Sequence, residues 1–120
     1  MAKFDADTLS ALREAKEVAI RTEKHPERAV TIWVAVADDE VFVRSVNGAR
    51  GRWYRDLSAG GRATLEVAGY PVAVEAFAAR EADAVDRASR ALLAKYQSSP
   101  WAPAMVKPEV LPTTLRLEPR

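Results

Sequence analysis

The chain has 120 residues, 18 Lys and Arg against 17 Asp and Glu, 48% hydrophobic residues and no cysteine. That length sustains one compact domain rather than two, and the composition excludes a disordered chain, a disulfide scaffold, and any cysteine nucleophile or cysteine-held zinc. No apolar run nears the roughly 18 residues of a bilayer span, and the start Met1-Ala2-Lys3-Phe4-Asp5 lacks a signal-peptide core. The expectation is a cytoplasmic single domain over residues 1–120 with no membrane contact.

In chain order, Asp5 or Asp7 is placed to cap an opening helix within 1–16 that carries Leu9, Leu12 and Ala15 at helical spacing. From Glu17 the period changes to two: Val18, Ile20 and Thr22 predict a strand ending at Arg21-Thr22, before a polar turn over 23–28. Residues 29–36 are rich in β-branched and aromatic side chains. Asp38-Asp39 turns the chain, and 41–44 runs back as the second arm of a hairpin. A short helix starts near Arg52 or Trp53 and stops at Gly60-Gly61. A second hairpin joins 64–67 to 71–77 around Ala68-Gly69-Tyr70, and 81–96 follows as a helix with Val85, Ser89, Leu92 and Tyr96 at its spacing. The proline-containing stretch 97–103 ends that helix, and 113–118 reads as a last strand. About six strands in hairpins, with two or three helices, predict an antiparallel α+β sheet or barrel.

Charge is evenly spread except in one segment. From Arg44 to Arg62 five arginines face the single acid Asp56, and Asn47-Gly48 and Gly51 lie among them. A strand, a glycine loop and a helix start can hold phosphate, because glycines admit a ligand to the backbone and guanidinium forks bind oxyanions in pairs. Each residue also has a plainer role. Arg44 shares a strand face with Phe42 and is either a ligand contact or an ion pair. Arg50 and Arg52 point to phosphate, or serve solubility or pair with Asp56. Arg55 and Arg62 suit a solvated helix face. Trp53 and Tyr54 either stack on a ring or pack in the core, Trp33 belongs to the core or an interface, and Trp101 to a plug or ligand cover. His25 is the only histidine, which leaves a metal site or histidine-centred triad without support. Asp38-Asp39 is turn chemistry, and Ser45 has no neighbouring base that would make it a nucleophile.

Thr31-Ile32-Trp33-Val34, Val41-Phe42-Val43-Arg44-Ser45 and Gly48-Ala49-Arg50-Gly51-Arg52-Trp53-Tyr54-Arg55-Asp56-Leu57 together resemble a small bacterial family. It is placed with the split β-barrel flavin-binding proteins, which include the pyridoxamine phosphate oxidase-like proteins and the deazaflavin-dependent nitroreductases. The resemblance covers about 17–118 and implies a six-stranded split barrel over 17–120, usually a homodimer, with FMN or a deazaflavin coenzyme across it. Carried over by position, it implies cofactor contacts at Arg44 and Ser45, at Gly48, Arg50, Arg52 and Trp53, and at the first-strand pair Arg21 and Thr22. The chain departs from the nitroreductases in carrying Thr22-Glu23-Lys24-His25-Pro26 where they have a Gly-Arg or Lys-Ser-Gly element.

The function expected is therefore that of a flavin- or deazaflavin-binding oxidoreductase whose cofactor performs the hydride chemistry on a small molecule. The alternative is a non-catalytic module for an anionic ligand or nucleic acid built on the same 44–62 segment. The near-balance of acids and bases argues against nucleic acid.

Overall fold

A computed structural model describes residues 3–120; Met1 and Ala2, where the expected opening helix and single domain begin, lie outside the described residues. Helix α1 runs Ala6–Glu14, capped by Asp5, whose carboxylate accepts from the Thr8 N–H at 2.7 Å. Strands β1 (Val18–Thr22), β2 (His25–Ile32), β3 (Ala35–Ala37) and β4 (Glu40–Val43) follow. Helix α2 is Arg52–Leu57, β5 Gly61–Val67, β6 Tyr70–Ala78, α3 Ala82–Lys95 and β7 Leu115–Pro119. Short 3-10 turns at Gly48–Arg50, Ala102–Val106 and Leu111–Thr113 fill the connections. No helix among the described residues is long and apolar enough to cross a membrane.

All seven strands form one antiparallel sheet in the order β2-β1-β5-β6-β7-β4-β3. β2 and β3 follow each other directly in the chain yet stand at opposite edges, so the sheet curls into a half-barrel whose edges Trp33-Val34 connects. The α+β class and antiparallel pairing agree with the sequence; the strand number does not. The sequence predicts six strands, with 29–36 pairing to 41–44. The structure divides that stretch: β2 starts earlier, at His25, and pairs with β1 in register Val18↔Ile32, while only Ala35–Ala37 pairs with β4. The cause lies far along the chain, at the end of α3. Val34 is fully buried, and its N–H donates to the Tyr96 hydroxyl at 3.3 Å while its carbonyl accepts from Lys95 Nζ at 2.8 Å. Trp33 stacks on Tyr96 with ring centroids 3.9 Å apart. A buried backbone with its polar groups satisfied by side chains has no need of a strand partner, and the chain bends there.

Two apolar layers result. Inside the curl, Val18, Ile20, Val41, Val43, Leu65, Val74, Leu115 and Leu117 pack with Leu9 and Leu12 of α1 and with Trp53 and Leu57 of α2. On the outer face of β3 and β4, Ala35 and Phe42 meet the alanine-rich side of α3, through Ala84, Ala88 and Leu92. Small side chains there let helix and sheet approach closely. Arg87 of α3 reaches over Phe42, with its guanidinium carbon 5.7 Å from the ring centre, and pairs with Glu40 and Asp83.

Arg44 leaves β4 on the Phe42 side and is buried. Its Nε donates to Thr114 Oγ1 at 2.8 Å, Nη1 to the Met105 carbonyl at 3.0 Å and Nη2 to the Val85 carbonyl at 2.8 Å. One guanidinium thus ties the end of β4 to α3, to the 3-10 turn at Ala102–Val106 and to Thr114 just before β7. Its partners are all neutral, and burial draws it down to about 10.

Replacing Arg44 with Met removes three hydrogen bonds, to the Met105 and Val85 carbonyls and to Thr114 Oγ1, which keeps its own bond to the Leu111 carbonyl, at about 1–3 kcal/mol each, while relieving the burial of a charge. Arg44→Met is expected to lower stability by about 3 kcal/mol net, read from urea midpoints; an unchanged midpoint would show that the three bonds hold nothing together. Lys95 supplies a pH test. Its ammonium also donates to the Leu12 carbonyl at 2.9 Å, and burial draws it from 10.5 to about 8. Between those values the unfolded chain keeps a proton that the folded chain has released, so stability rises with pH across the window and falls as pH drops through about 8. Urea midpoints measured from pH 8 to 10 should rise more steeply in the native protein than in Lys95→Met. Parallel slopes for the two proteins would refute that assignment.

Candidate functional site

The bend that separates β2 from β3 opens a cleft of ≈ 500 Å³ between β2, the loop after β4 and the 3-10 turn at Ala102–Val106. One wall is Val30, Ile32 and Trp33. The opposite wall is Val46, Gly51, Arg52 and Trp53, and Trp101, Ala104 and Met105 close the third side. Three tryptophans thus bound one mostly apolar space. Trp53 is 8% exposed and meets Tyr54 edge-on, with ring centres 6.4 Å apart, whereas Trp101 stands at the rim 73% exposed. Polar groups are few: Arg44 and Ser45 at the inner end, Asn47, Thr31, Arg52 and Glu17 around the opening.

The loop after β4 owes its shape to close packing. Ser45 is buried, its N–H donates to Thr113 Oγ1 at 3.0 Å, and its hydroxyl donates to the Gly48 carbonyl at 2.8 Å. Gly48 has φ +62°, a left-handed conformation that costs glycine nothing. At Gly51 the constraint is space: a Cβ would collide with Ser45 Oγ. The backbone therefore runs tightly from Ser45 into α2 and sets Arg52 and Trp53 against the cleft. At six residues, α2 is too short for its start to bind an anion through its dipole alone.

The cofactor contacts implied by the resemblance are dispersed. Arg44, Ser45, Arg52 and Trp53 do meet in the cleft. Gly48 lies behind it, holding the loop, and Arg50 is exposed on the 3-10 turn away from the lining. Arg21 pairs with Glu66 at 2.8 Å across β1 and β5 and donates to the Pro26 carbonyl at 3.2 Å. Thr22 points to α2, its hydroxyl donating to Asp56 Oδ2 at 2.7 Å.

Asp56 corrects two readings. Neither Arg50 nor Arg52 pairs with it; its partners are Thr22 and His25, whose Nδ1 lies 2.7 Å from the same oxygen. Burial raises the Asp56 carboxyl, but hydrogen bonds from His25 and Thr22 and the positive charges of His25 and Lys24 outweigh it and hold the group below its ordinary value. The lone histidine is thus oriented by a carboxylate 31 residues away. The threonine bonds to the acid and not to the imidazole, so no triad results. No sequence spacing marks this pair; only the docking of α2 on the β1–β2 turn creates it.

Over residues 8–117 the chain matches the family described as "Uncharacterized protein conserved in bacteria (DUF2255)". Among solved structures, it is similar to conserved hypothetical protein Rv2991 from Mycobacterium tuberculosis, with TM-score 0.66 and 16% identity over 98% of this chain and 81% of that one. At that identity the likeness is one of fold. No curated protein matches the sequence. The match across nearly the whole sequence shows that the chain belongs to the bacterial family DUF2255.

Proposed function

We propose that the cleft binds a planar heteroaromatic cofactor, FMN or a deazaflavin coenzyme, and that the protein is an oxidoreductase of the split-barrel flavin-binding type. The observation that carries this reading is the enclosure of ≈ 500 Å³ by Trp33, Trp53 and Trp101 with only a few polar groups. Flat apolar walls suit a ring system, and a small set of polar groups fixes its orientation. Arg44 adds a buried positive charge with no carboxylate partner at the inner end, which favours an electron-rich or reduced ring. The residues present therefore fit such a group. When bound, the cofactor supplies the hydride transfer; Trp33 and Trp53 orient it and exclude water, and Arg44 stabilises negative charge on it.

The alternative, an open nucleic-acid or anion module using Trp53 and Tyr54 as a stacking platform, has less support. Trp53 is 8% exposed and lines the enclosed cleft, so with Tyr54 it forms no surface platform for a strand of bases. The expected homodimer is part of the reading: exposed Trp101 and Val46 flank the opening, where a second copy would cover them.

Purified protein should bind FMN or a deazaflavin coenzyme saturably at micromolar concentration, seen in the absorption spectrum and in quenching of cofactor fluorescence. Trp101→Ala should weaken binding about fivefold, from an aromatic contact of about 1 kcal/mol, without loss of stability. A colourless protein that binds neither cofactor would overturn the proposal.

A further inference from the structure

On the far side of α2 from the core, a second hollow of ≈ 500 Å³ is lined by His25, Arg28, Arg52, Arg55 and Asp56. Arg52 and Arg55 are three residues apart and share a helix face. Arg28 comes from β2 and His25 from its first residue, so two elements converge on one space. Three guanidinium groups meet one carboxylate, and that carboxylate is already occupied by Thr22 and His25. Among the described residues Arg28, Arg52 and Arg55 form no ion pair, whereas Arg13, Arg21, Arg87, Arg90, Arg116 and Arg120 each form at least one. Like charges that line one hollow repel one another, and an oxyanion among them replaces that repulsion with attraction.

From this we infer a second, phosphate-binding site in the hollow, formed by Arg28, Arg52 and Arg55 with His25 oriented by Asp56. The acid fixes Nδ1 as the bonded nitrogen and leaves Nε2 as the free one. That nitrogen can exchange a hydrogen bond with a phosphate oxygen or hydroxyl, so the imidazole ring reports on whatever occupies the hollow. Arg52 lines both the hollow and the aromatic cleft. A ligand with its ring in the cleft can therefore extend past Arg52 and place its phosphate among the arginines. That extension rests on the cleft reading; the phosphate site itself does not. This assignment moves the anion end from the Arg44 and Ser45 positions, whose donors are engaged within the fold, to the outer face of α2.

The single histidine makes the test direct, since an untagged chain gives one set of imidazole signals. Inorganic phosphate, titrated against chloride at constant ionic strength and pH, should shift the His25 C2–H resonance saturably. The double variant Arg28→Ala, Arg55→Ala changes only exposed side chains and should abolish that shift. Riboflavin, which lacks phosphate, and FMN separate the two ends of the ligand: FMN should bind at least tenfold more tightly in the native protein and no more than about twofold more tightly in the double variant, with riboflavin affinity unchanged. Riboflavin binding without a phosphate response, or with FMN no tighter, overturns this site and leaves the cleft reading standing. A phosphate shift at His25 with binding of neither riboflavin nor a deazaflavin supports the site and removes the cleft reading. A chloride response equal to that of phosphate, or a response only to a single-stranded oligonucleotide, also overturns the phosphate assignment.

Discussion

The architecture depends on how two backbone groups of one buried residue are satisfied. Val34 cannot leave its N–H and carbonyl unpaired inside the protein, and Tyr96 and Lys95 at the end of α3 supply both partners. With these in place the chain stops being a strand for two residues, and β2 and β3 diverge to opposite edges of one sheet. The curl, the gap between the edges and the position of Trp33 on the cleft wall all follow. Tyr96 is anchored in turn by donating to the Lys16 carbonyl at 2.6 Å, so α3 is tied to the connection between α1 and β1 as well.

α2 divides the chemistry of the molecule. Its Trp53 and Leu57 enter the core, while Arg52, Arg55 and Asp56 face outward and sideways. The helix is pinned at both ends: Ser45 leaves no room for a side chain at Gly51, and Asp56 is held by the β1–β2 turn through Thr22 and His25. Two short-range constraints thus hold six residues of helix as a fixed partition, with an aromatic cleft on one side and a basic hollow on the other.

Local features of the fold were legible in the sequence, and features made by distant contacts were not. The β5–β6 hairpin shows in its alternation and its Ala68-Gly69 turn, and α3 in the spacing of Leu92 and Tyr96 with a charged opposite face. The inward direction of Arg44 followed from sharing a strand face with Phe42. Its three neutral acceptors did not, because they come from α3, the 3-10 turn at Ala102–Val106 and Thr114 just before β7, at least 41 residues away. The break at Trp33-Val34 was hidden for the same reason. Residues 29–36 have every local property of a strand, and only the side chains of Lys95 and Tyr96, 61 and 62 residues later, compete successfully for that backbone. The arginine-rich segment stood out in composition, but its members were read as one cluster; the fold buries one, lines cavities with others and recruits His25 and Arg28 from elsewhere.

β7 joins the two parts of the sheet. One part, β2-β1-β5-β6, is built from neighbours that can pair as soon as β6 exists; the other, the β3–β4 hairpin, touches the rest of the sheet only through β7. As the chain leaves the ribosome, four strands can assemble while β3 and β4, already synthesised, have no sheet to join. An isolated two-stranded hairpin is marginal in water, and until Leu115–Pro119 emerges this one can pack on α3 but has no strand that joins it to the sheet. The last of these seven strands to be made is thus the one that completes the sheet, and β4, which leads into one wall of the cleft, joins that sheet only once β7 is in place.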